Sequence, residues 1–151
     1  MPKLVNNERS PFTDVITLTS AELAAIGGST RVIARIPPGG ALEFVAVATG
    51  ETFSTAGTPV AANGAISIGD GTTAALFSAS AVPPATATTA AQYNTGSGFT
   101  SAGTKPIGIA TTGSNVVLTV AAGSSTGAYS VLDGGKIVIG LRIIDPLANL
   151  L

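Results

Sequence analysis

Histidine, cysteine and tryptophan are all absent from this 151-residue chain, and charge is scarce, with seven Lys and Arg against eight Asp and Glu. Each absence removes a class of chemistry. Without cysteine there is no disulfide staple, no thiol nucleophile and no thiolate metal ligand. Without histidine there is no general base for a serine triad and no imidazole for zinc. The eight acids (Glu8, Asp14, Glu22, Glu43, Glu51, Asp70, Asp133, Asp145) are scattered, and no Asp-x-Asp ladder exists for calcium. Arg31 and Arg35 are the only close basic pair, which counts against nucleic acid, whose phosphates need several cations. Arg142 and Asp145 interrupt the only long apolar stretch, short of the roughly 18–20 residues that span a bilayer. Met1 to Glu8 shows no apolar signal-peptide core, so synthesis in a cytoplasm is expected.

Hydrophobic residues make up 45% of the chain, yet only 5% are aromatic and 10% charged, against about 25% charged in an average domain. The apolar share is Ala, Val, Ile and Leu, and the solvent side falls to Thr, Ser, Gly and Ala. Such a weakly hydrated surface suits a protein packed against something else. The alternative is a secreted all-β domain with a Thr/Ser coat.

The strongest local signal is Lys136 to Ile144. Ile137, Ile139, Leu141 and Ile143 alternate with Lys136, Val138, Gly140, Arg142 and Ile144, the period of a strand. Asp133-Gly134-Gly135 gives a turn before it, and Asp145-Pro146 ends it. Upstream, strands are expected at Asp14–Leu18, Thr30–Ile36, Ala41–Thr49, Pro106–Thr111, Asn115–Ala121 and Ala128–Leu132. In the second of these, Val32, Ala34 and Ile36 face one way and Arg31, Ile33 and Arg35 the other. Ala41–Thr49 is nearly all apolar and reads as covered on both faces. Thr19-Ser20-Ala21-Glu22 fits a capping box that opens one or two helical turns, closed by Gly27 or Gly28. Pro37-Pro38-Gly39-Gly40 is a turn, and Asn63-Gly64 and Asp70-Gly71 read as hairpin signals.

Short strands with turns every ten residues or so predict an all-β, antiparallel β-sandwich or jelly-roll-like single domain with one short helical turn and extended termini. Residues 1–12 form an N-terminal arm, 13–145 the β-sandwich domain and 146–151 an apolar C-terminal tail. Residues 80–104 are a long surface excursion of Ala, Thr, Gly, Ser and Pro, with Tyr93 and Phe99 as its bulky anchors.

Two motif matches fail on context. Gly69-Asp70-Gly71-Thr72-Thr73-Ala74 resembles a dinucleotide fingerprint, but no acid stands between Asp70 and Asp133 to hold a ribose. Gly123-Ser124-Ser125-Thr126-Gly127 has the spacing of a nucleophile elbow with no histidine to serve it. No catalytic residue, cofactor or metal site is therefore assigned.

The order of features resembles small virion proteins of tailed bacteriophages, of the capsid decoration or cement type. The resemblance is carried by Leu18-Thr19-Ser20-Ala21-Glu22-Leu23, by Arg35-Ile36-Pro37-Pro38-Gly39-Gly40-Ala41, by Ile66-Ser67-Ile68-Gly69-Asp70-Gly71, and by Val117-Leu118-Thr119-Val120 leading to Ile137–Ile144. It covers most of residues 14–145. It implies a noncatalytic protein of the virion that binds the outer surface of a capsid at capsomer junctions. Its implied partners are the major capsid protein and further copies of itself, often as a trimer. On this reading Met1, Pro2, Lys3, Leu4 and Val5 in the arm, Leu147, Leu150 and Leu151 in the tail, and Tyr93 and Phe99 in the excursion contact partners. A tail, fibre or head-spike component is the alternative within virions. A secreted carbohydrate- or ice-binding module, suggested by Thr86 to Thr89, is the alternative outside them. An enzyme would need a site built from carboxylates alone.

Overall fold

The computed structural model describes residues 12–85, 87, 92–93, 95–98, 107–108 and 112–145. Ten strands and one helix follow each other as β1 (Asp14–Thr19), α1 (Ser20–Ile26), β2 (Ser29–Ile36), β3 (Ala41–Thr55), β4 (Thr58–Pro59), β5 (Ile66–Gly69), β6 (Ser78–Ala81), β7 (Gln92–Tyr93), β8 (Ile107–Gly108), β9 (Ser114–Val120) and β10 (Gly134–Ile144). One sheet runs β1-β10-β3-β4, and β7 and β8 also pair with β3. The other runs β2-β9-β5-β6. All pairings are antiparallel. The fold is the all-β architecture expected from the strand spacing.

The two sheets share one core. Leu18, Leu42, Val45, Val47, Phe53, Ile137, Ile139 and Leu141 from the first meet Ile36, Ile66, Ile68, Val116, Leu118 and Val120 from the second. Ile137, Ile139 and Leu141 are fully buried, as the alternation along β10 requires. Each such side chain contributes about 1.5–3 kcal/mol of transfer free energy. Helix α1 adds Leu23 and Ile26 to this core. Its capping box is formed: Thr19 accepts from the Glu22 N–H at 3.3 Å, and the Glu22 carboxylate accepts from the Thr19 N–H at 2.9 Å.

Three local expectations need correction. Along β2 the alternation breaks at a bulge between Val32 and Ala34. Ile33 is the extra residue, so Ile33 and Ala34 both pack on the core while Val32 stays 55% exposed. A bulge lets two residues oppose one, which period-two counting cannot anticipate.

Ala128–Leu132 is not a strand but lies across two 3-10 turns, Ser125–Gly127 and Tyr129–Val131. This stretch carries the chain from one sheet to the other, so its backbone closes on itself, as in Val131 N–H to Ala128 carbonyl at 3.0 Å. Tyr129 anchors it: the ring is buried and its hydroxyl donates to the Gly64 carbonyl at 2.6 Å. Burial pushes the phenol's pKa well above the usual tyrosine value.

Asn63-Gly64 makes no hairpin, because β4 and β5 belong to different sheets. The Asn63 side chain instead clamps the far loop, donating to the Ser124 carbonyl and accepting from the Ser124 N–H, both at 2.8 Å. At Asp70-Gly71 the flanking strands β5 and β6 do pair, around a longer loop in which the Asp70 carboxylate accepts from the N–H groups of Thr72 and Thr73.

The two-residue hairpin lies instead at Ala56-Gly57, between β3 and β4, where Thr55 pairs with Thr58. Ala56 has φ 49° and Gly57 φ 74°, the twist of a type I′ turn. An alanine there carries strain of order 1–2 kcal/mol. Asp133, distant in sequence, holds it by accepting from the Ala56 N–H at 2.6 Å and from the Ser54 hydroxyl at 3.3 Å.

Candidate functional site

The outward face of the β1-β10-β3-β4 sheet is the most distinctive surface of the molecule. Its composition follows from register. Because Leu18, Ile137 and Val47 point into the core, the alternate positions point out. One outward row runs Val15–Gly140–Ala46, and the next runs Thr17–Val138–Ala48. Apart from exposed Thr17, and Gly140 which has none, these side chains are small and apolar. Val15 is 55% exposed, Val138 and Ala48 are half-buried, and Ala46 is buried.

Gly140 has a specific reason for being glycine. A Cβ at this position would lie 2.7 Å from the ring of Phe12. The ring therefore rests on bare backbone, and it also meets Phe44 with centroids 5.7 Å apart. Thr13 stitches the same spot down: its N–H donates to the Leu141 carbonyl at 2.8 Å, and its hydroxyl accepts from the Ile143 N–H at 3.0 Å. The chain thus enters the domain across the outward face of β10.

Two ion pairs frame this apolar strip. Arg142 Nε lies 2.6 Å from Glu43 Oε2 at one end, and Lys136 Nζ 2.9 Å from Glu51 Oε2 at the other. They stand six residues apart on β10, about 20 Å. All four side chains are over a third exposed, so each pair adds only ~0–1 kcal/mol to the fold. Their stronger effect is to neutralise the rim. The face offers shape and apolar contact. Among the described residues no three Asp or Glu side chains gather to hold a metal, and no helix is long and apolar enough to cross a membrane.

Most of the expected contact residues, Met1, Pro2, Lys3, Leu4, Val5, Phe99, Leu147, Leu150 and Leu151, lie outside the described residues. The structure does fix where their segments start. The arm leaves at Phe12 and Thr13, beside Leu141 and Ile143. The tail leaves after Ile144, which pairs with Ala41. Both roots therefore sit at one end of one sheet. Tyr93 lies in β7 opposite Ala46, in the same register row as Gly140. Other parts of the excursion also hold to β3: the Thr49 hydroxyl donates to the Pro84 carbonyl at 2.7 Å, and the Ala87 N–H donates to Thr52 Oγ1 at 3.0 Å. Phe12, Phe44, Val15 and Gly140 were not singled out by sequence. The available signal was Gly140 itself, a lone glycine inside a strand, which marks a close approach.

No family model and no curated protein matches the sequence. A chain in the capsid asymmetric unit of cyanophage Pam1 is similar in structure, with a TM-score of 0.53 at 14% identity over 87% of this chain and 81% of that one. At this identity the likeness is one of fold.

Proposed function

We propose that this chain is a noncatalytic structural protein of a phage virion that binds the outer surface of the capsid and stabilises the shell. The observation that carries the reading is the shared fold with a chain of a cyanophage capsid asymmetric unit, over most of both chains. The geometry supports it. A largely apolar outward strip with a neutralised rim, and two terminal segments rooted at one end of the same sheet, suit a subunit laid on a protein lattice. The partners in this reading are the major capsid protein and further copies of the chain. The absence of histidine and cysteine fits a role without catalysis.

A shell offers many equivalent sites, so modest contacts at each suffice through effective concentration. The test is the copy number of the chain in purified particles, by quantitative mass spectrometry against the most abundant shell protein. A ratio near parity is expected. A ratio far below parity would move the protein to a tail, fibre or spike, and absence from particles would overturn the reading.

A further inference from the structure

At the end of β3 opposite the chain roots, a depression of about 480 Å³ opens between the β3–β4 hairpin and the two 3-10 turns. Thr55, Val60, Ser125, Thr126 and Val131 line it, and its wall is almost wholly carbon. Val131 is 47% exposed there. The rim is preformed. Ala56 and Ser125, with φ 49° and 51°, are the only non-glycine residues of positive φ among the described residues; Ser125 lines the depression and Ala56 follows Thr55, which lines it. Asp133 holds the first turn and Asn63 the loop that leads into the second. Strained backbone held in place by long-range bonds marks a shape kept for contact.

We propose that this depression seats leucine side chains of Pro146–Leu151 from a second copy of the chain. The chemistry matches: that segment reads Pro-Leu-Ala-Asn-Leu-Leu, with no charge and with Leu147, Leu150 and Leu151. Geometry excludes the chain's own segment. Its root at Ile144 pairs with Ala41, while the depression begins at Thr55, fourteen residues along β3. β3 is bulged against β10, which crosses the same run from Ile144 to Gly134 in ten residues, about 33 Å. The seven residues from Ile144 to Leu151 reach at most about 24 Å when fully extended. Only a neighbour's leucines can arrive. The contact joins unlike surfaces, so it repeats from copy to copy, as a ring where the rotation closes and as a filament where it does not.

This inference does not rest on shell binding, because every readout uses the purified chain alone. The chain has no cysteine, so single cysteines report contacts cleanly. Thr126→Cys and Leu150→Cys variants, mixed under mild oxidation, should give at least tenfold more disulfide-linked dimer than either alone. Sedimentation of the parent chain should show an oligomer. Val131→Asp, and separately the pair Leu147→Asp and Leu150→Asp, should each reduce it to monomer with an unchanged thermal midpoint. A one-to-one mixture of those two variants should recover a dimer and nothing larger, since one sound contact remains. A monomeric parent, an oligomer indifferent to both variants, or mixed cysteines no better than single ones would each overturn the proposal.

Discussion

The two sheets share a core but differ on their outward sides. On β2-β9-β5 the outward row Thr30–Thr119–Ser67 is made of hydroxyls. The next row contains Val117, and there the chain covers its own valine: Gly71 of the loop after β5 lies against it, and Val117 is only 8% exposed. The outer edge of that sheet is guarded as well. Strand β2 carries a bulge, with Arg31 and Arg35 exposed along it, and such features discourage pairing with another strand. On the β1-β10-β3 side the row Val15–Gly140–Ala46 is exposed only at Val15, and the row Thr17–Val138–Ala48 is exposed at Thr17 and half-buried at Val138 and Ala48. Edge strand β1 pairs with β10 without a register break. Val15 and Val32 are both 55% exposed on edge strands; Val15 pairs with Gly140, which lies under the Phe12 ring, and Val32 pairs with Val117, which lies under the loop after β5. The difference lies in the second row, half-buried Val138 and Ala48 on one sheet and hydroxyls on the other.

The largest expected effect comes from Gly140→Val. The new side chain would occupy the space of the Phe12 ring and lift the chain from β10. Overpacking of this kind costs about 1–3 kcal/mol. Urea unfolding should show that loss, and capsid occupancy should fall with it. Thr119→Val, in the middle of the hydroxyl row, should stay within about 0.5 kcal/mol and leave occupancy unchanged. Equal losses from both substitutions would erase the distinction between the two sides.

A matched pair sharpens it. Val15→Asp and Val32→Asp change equally exposed valines on the two edge strands, and both should leave stability within about 0.5 kcal/mol. Burying one valine against a partner is worth about 1.5 kcal/mol, roughly tenfold in binding. Capsid association should therefore weaken about tenfold for Val15→Asp and remain unchanged for Val32→Asp, by co-sedimentation with stripped particles. The reverse result would place the contact on the other sheet.

A smaller effect, of opposite sign, is expected at the β3–β4 hairpin. Ala56→Asn puts the residue that a type I′ turn favours where φ is already positive. Thermal unfolding should rise by about 0.5–1 kcal/mol. No change would mean that Asp133 already relieves the alanine completely.

This hairpin also shows what the sequence could and could not tell. The long apolar strands were legible because alternation along β10 and β9 is a local property, as was the capping box of Thr19 and Glu22. The hairpin was not, because its turn is specified by Ala56 together with Asp133, and no local rule pairs them. The Asn63-Gly64 signal misled for the same reason: the asparagine serves Ser124 in a distant loop. Tyr129 pulls its segment out of strand form through a bond to Gly64. The apolar strip depends on Phe12 meeting Gly140 across the chain. Local pattern reached the strands; the surface they present depended on contacts between distant residues.

The smallest prediction concerns the joint where the chain passes from β1 through α1 into β2, from one sheet to the other. The Glu22 carboxylate accepts from the Thr19 N–H at 2.9 Å and from its hydroxyl at 3.0 Å. The backbone bond is the main cause that holds its pKa below the ordinary 4.5, with the Thr19 hydroxyl next and Arg31 on β2 contributing least. An acid depressed in the folded state stabilises fully above its unfolded value and loses that contribution as pH falls through the lower folded value. Stability should therefore be flat near neutrality and decline slightly below about pH 4.5 through this group. Glu22→Gln keeps an acceptor for the Thr19 N–H but cannot titrate, so it should flatten that part of the acid limb in urea titrations run from pH 6 to pH 3. An acid limb unchanged by Glu22→Gln would assign the decline to other carboxylates and leave the joint between the sheets indifferent to pH.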